Sequence, residues 1–147
     1  MTAQKSRSNL RQHSVLAWMR LARVFQKIDM HSERFFRAHG LNTAQFDVLA
    51  RVGARAGITQ QELADALLVT KGNVSQLLAR MQHDGLVERR QVGRTNCLFL
   101  TPSGQRLFAQ VVPQQENLIA AALAPLDEAE QRELLRLLRK LDQQLAV

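Results

Sequence analysis

Over most of this chain apolar residues recur with a helical period, and only one stretch alternates like a strand. Between Arg11 and Ala38, the residues Val15, Met19, Ala22, Phe25, Phe35 and Phe36 fall on or near one stripe, and Gly40 supplies a stop. A helix of 28 residues at ~1.5 Å per residue is about 42 Å long, against a radius of gyration near 15 Å for a compact domain of this size. Its own chain cannot cover it. Thr43 is placed to cap a second helix over 44–53, with Phe46, Leu49 and Val52 turned inward.

Two helix-start signals follow, eleven residues apart. In "GITQQELADALLV", Thr59 and Glu62 have capping-box spacing, and Ile58 and Leu63 have the spacing of a hydrophobic staple. Thr70 repeats the cap, and Val69 and Val74 repeat the staple. One short helix, a turn of about three residues and a second helix over 71–84 make a helix-turn-helix. On the second helix Val74, Leu77, Leu78 and Met81 share the core-facing stripe. The opposite midline is small and polar, with Gly72, Gln76, Ala79 and His83 flanked by Asn73 and Arg80 on one side and by Ser75 and Gln82 on the other. It carries no acid until Asp84.

Gly85 is placed to end that helix. "LVERR" and "CLFL" read as two strands of a hairpin, joined by "QVGRTN" as a six-residue tip. Thr101-Pro102 starts a further helix in cap-then-proline order, running to about Ala124 with Pro113 inside it. Asp127 and Glu130 form another capping box before a last helix, on which Leu134, Leu138, Leu141 and Leu145 step by 4, 3 and 4. That is a coiled-coil-like seam.

Charge sharpens this picture. The 147 residues carry a net charge of +7, and ten of the 20 Lys and Arg lie in residues 1–60 against three acids. A basic chain of this kind suits a polyanionic partner. Residues 1–10 are basic and acid-free and read as a flexible arm, and the rest, 11–147, reads as one domain. Its core, 41–101, is the winged helix-turn-helix, and 11–39 and 102–146 are dimerisation helices. One cysteine, Cys97, excludes an internal disulfide, fits a cytoplasmic protein and reads as a small filler in its strand. The longest apolar run is nine residues and contains Pro125, so no membrane span is expected. His13, His31, His39 and His83 show no metal-ligand spacing. With no nucleophile motif, phosphate loop or paired carboxylates, neither an enzyme nor a cofactor is expected.

The fold class is therefore mainly α with a small β-hairpin wing. Such a protein binds double-stranded DNA with its second helix in the major groove and its wing on the minor groove or backbone. Gln76 and Asn73 suit adenine, and Arg80 suits guanine or phosphate. Thr59, Gln60, Thr70, Lys71 and Ser75 sit near helix starts where phosphates bind. Gly72 and Ala79 permit close approach. Arg94, Thr95 and Asn96 lie at the hairpin tip, with Arg89 and Arg90 nearer its base. The uncovered first helix (Val15, Met19) and the leucine seam (Leu134, Leu138, Leu141, Leu145) call for a second copy, hence a homodimer. The alternative is a winged-helix module whose basic hairpin docks on an acidic protein.

The stretches "LNTAQFDVL" at 41–49, "TQQELADALLVTKGNVSQLLARMQHDGLVERR" at 59–90 and "LFLTPSG" at 98–104 resemble the MarR family of bacterial transcription regulators. With the flanking helices the resemblance covers nearly the whole chain. It implies a dimeric repressor on a palindromic operator that responds to a small aromatic or lipophilic effector. Family effectors bind in a crevice between the dimer helices and the DNA-reading lobe, which Trp18, Phe36, His39 and Phe46 would line here. Family wings carry an Asp-Arg-Arg triplet where this chain has Val92-Gly93-Arg94 in a loop about three residues shorter, so Arg94 lacks its bracing acid and a looser wing contact is expected. Thiol-sensing members place their cysteine in the first helix, which Cys97 does not match.

Overall fold

A computed structural model describes the backbone of residues 2–145, and the side chains of 12–145 apart from Lys71. Six helices and three short strands follow in the order α1 (Thr2–Ala38), α2 (Thr43–Ala54), β1 (Ile58–Thr59), α3 (Gln60–Leu67), α4 (Lys71–His83), β2 (Val87–Val92), β3 (Thr95–Leu100), α5 (Pro102–Leu123) and α6 (Glu128–Gln144). The backbone of residues 2–10, expected as a flexible arm, continues α1; the side chains of that basic segment lie outside the described residues.

The core is built where the helix-turn-helix meets the sheet. Val48, Leu49 and Val52 of α2, Leu63 of α3, and Val74, Leu78 and Met81 of α4 are all fully or almost fully buried. Val87 and Leu98 of the hairpin close it from below, and Val111 of α5 from the side. Only the C-terminal end of α1 reaches this core. Phe36 stacks on Phe46 of α2 at 4.2 Å, and Ser32 accepts a buried hydrogen bond from Gln115 Nε2 of α5 at 2.8 Å. Earlier on α1 the apolar stripe is bare, with Trp18 67% and Phe25 65% exposed. No residue of α6 is buried.

Three local details differ from the sequence expectations. The cap of α2 is Asn42, not Thr43: Asn42 Oδ1 accepts from Gln45 N at 2.8 Å, while Gln45 Oε1 accepts from Asn42 N at 2.9 Å. Thr43 is the first helical residue. The hairpin tip is two residues, Gly93 and Arg94, because the ladder runs on to the pair Val92 and Thr95. Gly93 adopts φ +64°, and a glycine first in a two-residue loop is what a type II′ turn requires. The sheet also has a third strand: β1 pairs with β3 through Ile58–Leu98 and Thr59–Cys97, giving the order β1-β3-β2. Two residues are too short for any periodicity to announce.

The end of α4 is a complete Schellman closure, with Leu86 N on Met81 O at 2.9 Å, Gly85 N on Gln82 O at 3.0 Å, and Gly85 at φ +72°. It delivers the Leu86 carbonyl to the start of α5, where Thr101 N donates to it at 3.1 Å. Gly104, in the first turn of α5, is buried against the same carbonyl, and a Cβ there would lie 2.1 Å from the Leu86 oxygen. A backbone atom cannot swing aside as a side chain can. Gly104→Ala is expected to destabilise the fold by about 1–3 kcal/mol or more, read as a lower urea midpoint at unchanged slope.

Candidate nucleic-acid interface

The turn between α3 and α4 decides where everything outside it points. At its entry Thr59 Oγ1 accepts from Glu62 N at 3.1 Å, and Glu62 Oε2 accepts from Thr59 N at 3.0 Å, completing the expected box. The Thr59 backbone N–H, helped by Arg55 3.1 Å away, holds the Glu62 carboxyl below its ordinary value against a smaller desolvation effect. Leu68 then takes the left-handed conformation, φ 53°, and Val69 N reaches back to Ala64 O at 3.2 Å. Thr70 Oγ1 accepts from Asn73 N at 3.3 Å and starts α4. Of the two expected staples, Ile58 and Leu63 are buried, whereas Val69 is left 42% exposed over buried Val74.

With Val74, Leu78 and Met81 inside, Gly72, Asn73, Gln76, Ala79, Arg80 and His83 are exposed, and Ser75 and Gln82 are half-buried at the edges. Apart from its chain neighbours and its own helix backbone, no described atom lies within 4 Å of where a Cβ on Gly72 would stand. The small midline therefore relieves no crowding within the chain. Thr70 is exposed beside it, and the Lys71 side chain lies outside the described residues.

Two hollows include residues expected to meet DNA. One, of about 300 Å³, gathers Thr59, Gln60 and Gln61 from the start of α3 with Arg94, Thr95 and Asn96 from the hairpin. It joins five of the residues expected to meet DNA and adds Gln61, which sequence reasoning passed over. The other, of about 450 Å³, has an apolar floor of Leu67, Val69 and Leu77 and is edged by Asn73, Gln76 and Arg80 of α4 and by Asp47 of α2. Asp47 was also missed, since nothing local reveals which residue of α2 faces α4.

The hairpin arginines divide into three kinds. Arg94 is exposed at the tip, and among the described residues no hydrogen bond or ion pair holds it. Arg90 pairs with Glu88 and lies over the Phe99 ring at 4.5 Å, so the strand supplies an acidic brace, but to Arg90. Arg89 corrects the expectation of a DNA contact: it turns inward and donates from Nη2 to the Ser75 carbonyl of α4 at 3.4 Å.

The expected effector crevice is not assembled within one chain. Phe36 and Phe46 are core, 2% and 9% exposed and stacked on each other. His39 Nδ1 bonds to the Phe35 carbonyl at 2.9 Å. Trp18 stands eighteen residues, at ~1.5 Å each roughly 27 Å, up the helix from Phe36. The leucines of the seam fare differently: Leu134 and Leu138 are half-buried, and Leu141 and Leu145, like Val15 and Met19, are exposed on uncovered faces. Cys97 is half-buried on β3 opposite Arg90. No helix among the described residues is long and apolar enough to cross a membrane.

A short helix, a tight turn, an outward-facing second helix and a basic hairpin make this chain a winged helix-turn-helix protein. Residues 39–95 match the MarR family. An HTH-type transcriptional regulator of Bacillus cereus is 33% identical over 126 residues, covering 85% of this chain and 86% of its own. Transcriptional regulator HosA of Escherichia coli O127:H6 is 29% identical over 129 residues, covering 85% and 93%. Among solved structures, a MarR family transcriptional regulator from Listeria monocytogenes complexed with a 26mer DNA superposes with a TM-score of 0.78 at 26% identity, over 86% of each chain. The chain belongs to the MarR family of transcription regulators.

Asp47 gives the site a measurable pH signature. Burial pushes its carboxyl above the ordinary 3.8, Arg51 pulls the other way, and Asp29 on α1 adds to the rise. A carboxyl raised by folding costs stability once ionised: the penalty is absent below about the ordinary value and complete above the raised one. Asp47→Asn is therefore expected to be more stable than the parent at pH 7, the gap closing as pH falls toward 3.8. Urea titrations at a series of pH values would show it.

Proposed function

We propose that this regulator is a repressor that binds a palindromic operator as a homodimer, with α4 in the major groove and the hairpin tip at the minor groove. The observation that carries this reading is the outward face of α4. It is acid-free and small at its centre, it bears hydrogen-bonding side chains at its edges, and Gly72, Asn73, Gln76, Ala79 and Arg80 are exposed on it. Asn73 and Gln76 each carry an amide able to pair two-pronged with adenine, and Arg80 can do the same with guanine. Thr59, Gln60, Thr70, Lys71 and Ser75 would bind phosphates near the helix starts, and Arg94, Thr95 and Asn96 would track the backbone and minor groove. The bare faces of α1 and α6 are where a second copy would pack, presenting two α4 helices about one turn of DNA apart, ~34 Å.

A small aromatic or lipophilic effector would act by population shift. It must favour a dimer whose α4 spacing no longer fits the operator, by ~3 kcal/mol for a hundredfold loss of affinity. Such a regulator works in the cytoplasm, where the DNA is.

Fluorescence anisotropy with duplex DNA from upstream of its own gene tests the reading. Affinity is expected to fall steeply with salt. Arg94→Ala should weaken operator and scrambled duplex alike and lower the salt slope by about 1, whereas Gln76→Ala should cost about 1–3 kcal/mol on the operator and little on the scrambled duplex. No binding at low salt would instead leave a winged helix that docks on protein.

A further inference from the structure

Arg89 has the wrong surroundings for a phosphate contact. Along β2 side chains alternate, so Arg89 shares the face of fully buried Val87 and points at α4. Its Nη2 reaches the Ser75 carbonyl at 3.4 Å, and its Nε is shut off from solvent with no acceptor. A guanidinium keeps its charge when buried. Half-burying it for one long hydrogen bond, with Nε unpaired, recovers little of the desolvation cost, and an apolar side chain of similar length would suit a purely packing role better. The group is expensive for stability at this place.

The place is the joint between two elements. Ser75 is flanked by Val74 and Gln76 in the middle of α4, so the carbonyl that Arg89 holds belongs to the turn carrying the base-facing amides. On the hairpin side, the turn begins three residues beyond Arg89, at ~3.3 Å each about 10 Å away. A 10° swing at the joint moves the tip by roughly 2 Å, enough to carry a side chain there out of hydrogen-bond reach.

We propose that Arg89 is a positioning residue: it sets the angle between the wing and α4 so that Arg94 and Gln76 reach DNA together, and it touches no DNA itself. This rests on the DNA-binding reading above. If the parent protein binds no duplex, that reading has failed; the comparison of variants bears on Arg89 alone.

The test is a double-mutant cycle by anisotropy, on operator and scrambled duplexes across a salt series, with Arg89→Met, Arg89→Lys, Arg94→Ala and the Arg89→Met/Arg94→Ala pair. Arg89→Met is expected to weaken operator binding about tenfold and to lower the salt slope by up to about 1, as Arg94→Ala does, because it is the Arg94 contact that is misplaced. Arg89→Lys, able to donate to the same carbonyl, should restore part of it. Once Arg94 is gone the one charged tip contact is no longer there to misplace, so Arg89→Met should then cost less than twofold and leave the slope where Arg94→Ala put it. Additive losses, with the slope falling by about a further 1 in the Arg94→Ala background, would make Arg89 a direct phosphate contact and overturn the proposal. So would a lowered melting midpoint with unchanged affinity per folded molecule. The parent protein supplies a check independent of folding: phenylglyoxal followed by peptide mass mapping should modify Arg94 readily and Arg89 slowly in the absence of DNA. Fast modification of Arg89 that DNA suppresses would also overturn it.

Discussion

The outward half of α4 depends on how its inward half is held. Thirteen residues of helix are anchored by Val74, Leu78 and Met81, each fully buried, against α2, α3 and β2. Each such side chain contributes about 1.5–3 kcal/mol on burial, so the anchor fixes the rotation of the helix about its own axis. Rotation then assigns every polar residue its direction. Shifting the pattern by one residue would turn Gln76 toward the core and bring a leucine outside. The outward direction of Gln76 and its polar neighbours is thus a consequence of core packing.

Both ends of α4 are fixed by chemistry that costs little. At the start a threonine hydroxyl replaces one missing acceptor, and a left-handed leucine makes the turn three residues long. At the end a Schellman closure passes the chain into β2 and ties the Leu86 carbonyl to the start of α5. Recognition helix, wing and long helices are thereby linked through a few backbone atoms. Movement of α5 would be felt at the wing through Leu86 and Gly104, which gives a physical path between the distal helices and the DNA-facing surface.

Much of this was legible beforehand, for a specific reason. Helix starts and stops are written in single residues, so Thr59, Thr70, Gly85, Thr101 and Asp127 appear in the structure in the roles their chemistry suggests. Failures occurred where an outcome depends on which partner a residue finds. Asn42 and Thr43 are both good caps, and the reciprocal bond from Gln45 decides between them. Arg89, Arg90 and Arg94 look alike in a basic hairpin, and only strand register shows that one faces α4, one lies over Phe99 and one is free of both. Phe36 and Phe46 can line a crevice or stack as core, and within one chain they stack at 4.2 Å.

The two ends of the chain pose a different constraint. α6 has seventeen residues, no buried side chain and a leucine seam open along its side. Isolated helices of about 12–15 residues are marginal in water, and most helical stability in proteins comes from packing of an apolar face. The stretch of α1 from residue 15 to residue 25 is in the same position, with Val15, Trp18, Met19 and Phe25 all more than half exposed. Two unpaired apolar faces at opposite ends of one sequence are a poor design for a monomer and a good one for a pair, because each can be buried by the other chain's copy. Folding of these helices and pairing of the subunits would then be a single event. The distance between the two α4 helices would be set by the same leucines that make the helices stable, so a ligand able to loosen that packing would alter the spacing without touching a base-reading residue.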